Sequence, residues 1–281
     1  MDFLLEPFQF EFFRNGTTAA VLTGGLCGLI GVYIVLRGMS YIGHGLSHAI
    51  FGGAVVSFVM NWNFYLGAGL WGFMAALLIN QTVRRTKINA DAAIGVITTA
   101  SFAVGVALIS RYRGFTRSFE AALFGNILGV TRQDVWVVAG VTVMVMGIVF
   151  FVYKQLLFTT FDAEVARVYG VKTEWIDTLF ALILAAALIA SMQILGVTLI
   201  AAALVIPAVA ARLLTDYFSR MIVLSTVIGA LTGFLGMYLS FYVDVASGAA
   251  IVLLQTAVFV LVLLVAALQK RAGRRLLDTH L

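Results

Sequence analysis

Cysteine occurs once in this 281-residue chain, as Cys27, so no disulfide can form within it. Proline occurs only twice, at Pro7 and Pro207, which leaves long stretches free to run as uninterrupted helix. Charge is scarce as well. Asp, Glu, Lys and Arg make up 11% of the chain against 62% apolar residues, and residues 38–83 contain none of the four. With a mean hydropathy of +1.05 this composition excludes an ordinary soluble domain. The apolar runs are continuous rather than alternating, which also excludes a membrane β-barrel.

What is present is a series of apolar runs of spanning length. A helix crosses a hydrocarbon core with roughly 20 apolar residues. Single spans are predicted at 17–36, 92–110, 135–153, 221–243 and 245–269. Residues 38–83 are too long for one helix and divide at Asn61-Trp62-Asn63 into 40–60 and 64–83; residues 174–214 divide near Gly196 into 174–193 and 196–214. The expectation is an all-α, polytopic transmembrane bundle of nine spans, or eight if one short span is re-entrant. The 27 glycines suit helices that approach closely in lipid.

Residues 1–16 carry Asp2, Glu6 and Glu11 among aromatics, unlike the basic start of a secretory signal, and read as an interfacial segment. The pI near 9.5 reflects basic residues in loops, where they set topology, and not a nucleic-acid partner. With nine spans and the C-terminus in the cytoplasm, Arg37, Arg84, Arg85, Lys87, Lys154, Arg167, Lys172, Arg212, Arg220 and the four cations of the tail 270–281 lie inside. Only Arg14, Arg111, Arg113, Arg117 and Arg132 then lie outside, so an N-out, C-in arrangement is predicted.

Internal repeats and Pro-rich or Ser-rich linkers are absent, and one membrane domain over 1–281 is the economical reading. Residues 121–131, AALFGNILGVT, are apolar for too short a distance to span and are expected to be re-entrant or surface-lying. The stretch FTTFDAEVARVYGVKTEW, 158–175, falls on the cytoplasmic side. There Asp162 can cap a short helix, Glu164 suits its first turn and Gly170 its end, while Phe161, Val165, Val168 and Tyr169 share one apolar face. Such a face can rest on lipid headgroups or on a protein partner.

Ionisable groups inside a membrane are costly and therefore informative. Within the spans the scan leaves His44 and His48, in YIGHGLSHAIFGG. Residues four apart share a helix face, so both imidazoles can reach one ligand, and neutral imidazole suits zinc, iron, nickel and copper. The bland alternative is a pair that only packs or hydrogen-bonds. A zinc protease of the H-E-x-x-H type is excluded, because Gly45, Leu46 and Ser47 supply no glutamate. Two ligands are too few for a closed structural site, and that suits a place an ion passes through. Asn80, Gln81, Gln193 and Gln255 read as interhelical hydrogen-bonding residues, and Pro207 as a possible kink site. No G-x-x-x-x-G-K-[ST] loop occurs, and the spans hold no acidic or basic coupling residue at mid-membrane. Energy must come from another chain, or the protein is a stand-alone metal channel or ion-coupled carrier.

Six segments occur in an order that resembles the membrane subunits of bacterial ABC importers for zinc, manganese and iron. They are RGMSYIGHGLSHAIFGG, DAAIGVITTASFAVGVAL, LFGNILGVTRQD, FDAEVARVYGV, LGVTLIAAALVIPAVAARLL and YVDVASGAAIVLL, spread over about residues 17–265. The resemblance implies a multi-pass permease of the bacterial plasma membrane, without ATPase activity or a permanently bound cofactor. It further implies a homodimer, two cytoplasmic ATPase subunits and an extracytoplasmic protein that delivers a divalent metal. Residues 158–173 then form a coupling loop, with Phe161, Asp162, Glu164, Val165, Val168, Tyr169 and Gly170 in the helix that docks on the ATPase. The family's metal site, an aspartate followed four residues later by histidine, places His48 at the histidine and His44 where the aspartate usually stands. Imidazole in that place removes a hard oxygen and a negative charge, a tendency away from manganese and toward zinc or another borderline metal.

Overall fold

The ends of the helices show why the chain stops and starts where it does. In the structure, a computed structural model describing residues 5–112, 123–125 and 129–278, a 3₁₀ turn at Glu6–Gln9 leads into α1 (Glu11–Leu36), α2 (Ser40–Val59), α3 (Phe64–Arg85) and α4 (Ala90–Arg111). Then follow α5 (Arg132–Phe151), α6 (Tyr153–Phe161), α7 (Ala163–Val168), α8 (Thr173–Leu195), α9 (Ile200–Leu214), α10 (Phe218–Val243) and α11 (Ser247–Asp278). Among the described residues there is no strand. Side-chain caps satisfy the first amides of several helices. Asn63 accepts from Tyr65 N at 2.9 Å, Asn89 from Ala92 N at 2.9 Å, and Thr131 with Asp134 forms a reciprocal capping box at α5.

Among the described residues, eight helices are long and apolar enough to cross a membrane, and α9, with 15 residues, is shorter. The expected break at Asn61-Trp62-Asn63 is present, with Asn61 at a φ of 53°. The helix α1 begins at Glu11 rather than at residue 17, so the latter part of the segment expected at the interface is continuous with the first span. Phe8 and Phe13 pack their rings against Tyr238, and Phe10 and Phe12 against Phe241, both of α10. Of the segment 121–131, residues 121–122 and 126–128 lie outside the described residues.

The seventh predicted span loses its first turn to irregular backbone. At Gly196 the φ is 75°, a left-handed conformation that ends α8, and α9 resumes only at Ile200. Non-helical backbone survives in a membrane only where protein covers its polar groups. Thr198 meets that need by donating its amide, at 3.3 Å, and its hydroxyl, at 2.7 Å, to the Leu123 carbonyl.

Burial separates central from peripheral helices. The apolar windows of α1 and α8 are 78% buried and that of α2 is 72%, whereas that of α11 is 11%. The bundle is therefore organised around α1, α2 and α8. Helix α1 also packs along α10, where Gly24 faces Gly229 and Gly28 faces Ser225 so closely that a methyl at any of these glycines would overlap opposing backbone. Small residues that bring backbones together replace the hydrophobic driving force missing in lipid. Asn80 donates to Thr178 Oγ1 at 2.8 Å and ties α3 to α8 as expected, but Gln255 is buried with no hydrogen-bond partner among the described residues.

Gly229→Val should destabilise the detergent-solubilised protein by about 1–3 kcal/mol, as overpacked contacts do, and lower its thermal midpoint. Gly95→Val, where an added Cβ meets nothing within 4 Å, should leave that midpoint unchanged.

Candidate functional site

Helical spacing alone aligns His44 and His48 on α2, and the structure shows how closely. Their Nε2 atoms lie 3.2 Å apart, with ring centroids at 4.5 Å and planes at 82°. As neutral rings they share one proton along this line, one donating and the other accepting. The same separation is that of two neighbouring ligands on one ion. With metal–nitrogen bonds of about 2.1 Å, a 3.2 Å ligand separation corresponds to an angle of about 100° at the metal. Tetrahedral and octahedral cations both accept such an angle.

The surroundings hold the pair without closing it. Both histidines are half-buried, whereas Ser47 and Ala49, which flank His48 in sequence, are fully buried. Phe102 of α4 sets its ring edge-on to His48, with centroids 4.8 Å apart, and Tyr41 stands 5.7 Å from His44 one turn earlier. Ser47 bonds the His44 carbonyl at 2.8 Å and the Val197 carbonyl at 3.1 Å. The helix bearing the histidines is thereby fixed to the irregular link between α8 and α9. His48 Nδ1 is buried without a hydrogen-bond partner, and among the described residues no group of three or more His, Cys, Asp or Glu could hold a metal.

The second cluster, the 161–170 segment, also takes its expected local form. Asp162 caps α7, accepting from Glu164 N at 3.0 Å and Val165 N at 2.9 Å. At the other end the Gly170 amide donates to Arg167 O and the Val171 amide to Ala166 O, both at 3.0 Å. That is the paired closure for which the left-handed Gly170, with φ at 81°, is required. Ala166 faces inward and is fully buried, whereas Phe161, Val165, Val168 and Tyr169 are exposed, Val168 by 86%. Val168 is thus an exposed apolar side chain on a short helix whose two ends are closed.

Residues 9–266 match the ABC 3 transport family. The chain belongs to that family. Among its relatives, the manganese transport system membrane protein MntC of Halalkalibacterium halodurans is 36% identical over 259 residues, covering 92% of this chain and 89% of that protein. The manganese import system permease protein ScaB of Streptococcus gordonii is 34% identical, with 98% of each chain covered. The chelated iron transport system membrane protein YfeC of Yersinia pestis is 34% identical, covering 92% and 88%. In solved structures the fold recurs in PsaBC from Streptococcus pneumoniae in complex with Fab, with a TM-score of 0.84, 33% identity and coverage of 93% and 94%. This ABC 3 family chain is thus a multi-pass permease of the bacterial plasma membrane, and the matched region contains both clusters.

Several residues around these clusters escaped the sequence reading. Ser47 could have been noticed, because a hydroxyl between two histidines on a spanning helix has few partners other than backbone. Phe102, on another helix, could not. Arg37 was assigned only to topology, yet its side chain is 8% exposed and reaches Asp177, Thr159 and Thr160.

Asp162→Ala removes the cap of α7, a loss of about 1 kcal/mol. Amide exchange at Glu164 and Val165 should accelerate about fivefold, with exchange in α8 unchanged.

Proposed function

We propose that this chain is the membrane-spanning subunit of an importer that carries a divalent transition-metal ion into the bacterial cytoplasm. The observation that carries the reading is the pair of imidazoles, 3.2 Å apart on a spanning helix of an ABC 3 family chain. Relatives named for manganese and chelated iron transport support it. Separate ATPase subunits hydrolyse ATP and dock on the exposed face of Phe161, Val165, Val168 and Tyr169. An extracytoplasmic binding protein delivers the ion from the other side.

In this reading the N-terminus is outside and the C-terminus inside. The contacts of Arg37 with Thr159 and Thr160 support that arrangement, since they bring the α1–α2 connection to the end of the bundle where α7 lies. The permease works as a homodimer. Two nitrogen donors leave a cation's coordination incomplete, and a second copy or water supplies the remainder. His44 stands where the resembling family places a carboxylate, so the site is softer and less anionic, favouring zinc or another borderline ion over manganese.

In vesicles reconstituted with the assembled transporter, His44→Ala and His48→Ala should each lower metal uptake at least about tenfold while the ATPase subunits stay bound. Undiminished uptake in both variants would remove the site assignment, and flux through the isolated chain without ATP would identify a channel instead. Competition among zinc, manganese and iron ranks the cargo. His44→Asp should raise manganese uptake relative to zinc.

For the docking face, Val168→Glu should abolish transport-linked ATP hydrolysis without changing metal binding. Unaltered hydrolysis would mean that the face rests on lipid.

A further inference from the structure

Arg37 makes more directional contacts than any topological role needs. It forms the end of α1, where its amide donates to Tyr33 O at 3.0 Å, and only Gly38 and Met39 separate it from α2. Its Nη1 donates to Asp177 Oδ1 of α8 at 2.8 Å, its Nη2 to Thr159 Oγ1 at 2.9 Å and its Nε to Thr160 Oγ1 at 3.1 Å. The guanidinium carbon also lies 4.6 Å from the centre of the Phe180 ring. Both threonines belong to the last turn of α6, which Asp162 joins directly to α7.

A cation that could have reached water is instead held by three partners, and the planar fork of arginine suits such a junction where lysine does not. The junction is not embedded in solid packing. Beside it lies a cavity of about 250 Å³ lined by Arg37, Ile42, Leu46, Ile79, Ile94 and Asp177. Ile42 and Leu46 occupy the first turns of α2, interleaved with His44 and His48, so this part of α2 has room to shift. Gly38, at a φ of 65°, closes α1 in a hydrogen-bonded turn, its amide donating to Val35 O at 3.2 Å and the Met39 amide to Ile34 O at 3.0 Å, so a short ordered link joins Arg37 to α2.

We infer that Arg37 is a positioning residue that ties the coupling segment, through Thr159 and Thr160, to the helix carrying His44 and His48, so that displacement of α7 moves the histidine pair. The inference rests on the reading of 161–170 as the ATPase docking segment. Arg37 touches neither the metal nor the ATPase. Its contribution is to the number of ions moved per ATP hydrolysed, and a merely stabilising contact would not alter that ratio in an intact complex.

The test uses the transporter purified with its ATPase subunits and reconstituted in vesicles, with zinc and manganese each supplied as the probe. Thr159→Val with Thr160→Val removes the α6 ends of the junction while leaving the Arg37–Asp177 pair in place, so no buried charge is stranded. Ions imported per ATP should fall about tenfold, in keeping with loss of hydrogen bonds to a charged group, with the ATPase still co-purifying. Arg37→Gln should lower the ratio similarly and Arg37→Lys less. An unchanged ratio in the threonine variant, or loss of ATPase co-purification in it, overturns the inference. Val168→Glu separates the two levels. If it leaves uptake intact, the docking reading fails and takes the inference with it; if it abolishes uptake while the threonine variant keeps its ratio, only the role of Arg37 fails.

Discussion

Hydrocarbon offers a peptide group no water, and each interruption of helix in this bundle has to be covered by protein. That constraint explains the arrangement around Gly196 better than propensity does. The chain leaves α8 in a left-handed turn, and the exposed groups that follow are taken up by Leu123 and by Ser47. Ser47 lies between the two histidines. The one bond from its hydroxyl to Val197 therefore fixes both the irregular link and the helix that bears the imidazoles.

The same constraint governs the polar groups at the α7 end. Arg37 would be expensive in the bundle wall without partners, and its four interactions, two with threonines, one with a carboxylate and one with an aromatic face, compensate that cost. Covering the guanidinium from α6 and α8 at once makes three elements mechanically continuous. In the proposed reading, the coupling surface outside the membrane and the histidine pair inside it share one structural thread, even though no residue belongs to both.

How much of this was legible in the sequence varied with the range of the interaction. The spans were readable because twenty apolar residues have one stable form in lipid, and the histidine pair because spacing of four is a property of a single helix. The cap at Asp162 and the stop at Gly170 were readable for the same local reason. The shortness of α9 was not, since Gly196 breaks the helix with help from Leu123, remote in sequence. Nor was Arg37 legible as a junction, because a cation after an apolar run looks the same whether it faces water or three partners. Gln255 had the pattern of an interhelical bond and has no such partner among the described residues, a reminder that polar side chains in membranes announce themselves without naming what they meet.

Charge gives the histidine pair its most particular consequence. A carboxylate at position 44 would offset one of a divalent ion's two positive charges, whereas two neutral imidazoles offset neither. In a low-dielectric setting the ion would then be held by lone-pair donation from two neutral nitrogens, which offsets less of the cost of lost hydration than a carboxylate does. Half-burial of both rings relieves this, since an ion resting there can keep part of its water shell. A pathway must bind firmly enough to admit an ion and weakly enough to release it. In the proposed reading, histidine in place of the aspartate that the resemblance implies moves the balance toward release, and makes ligands from water or a second copy more necessary to the hold.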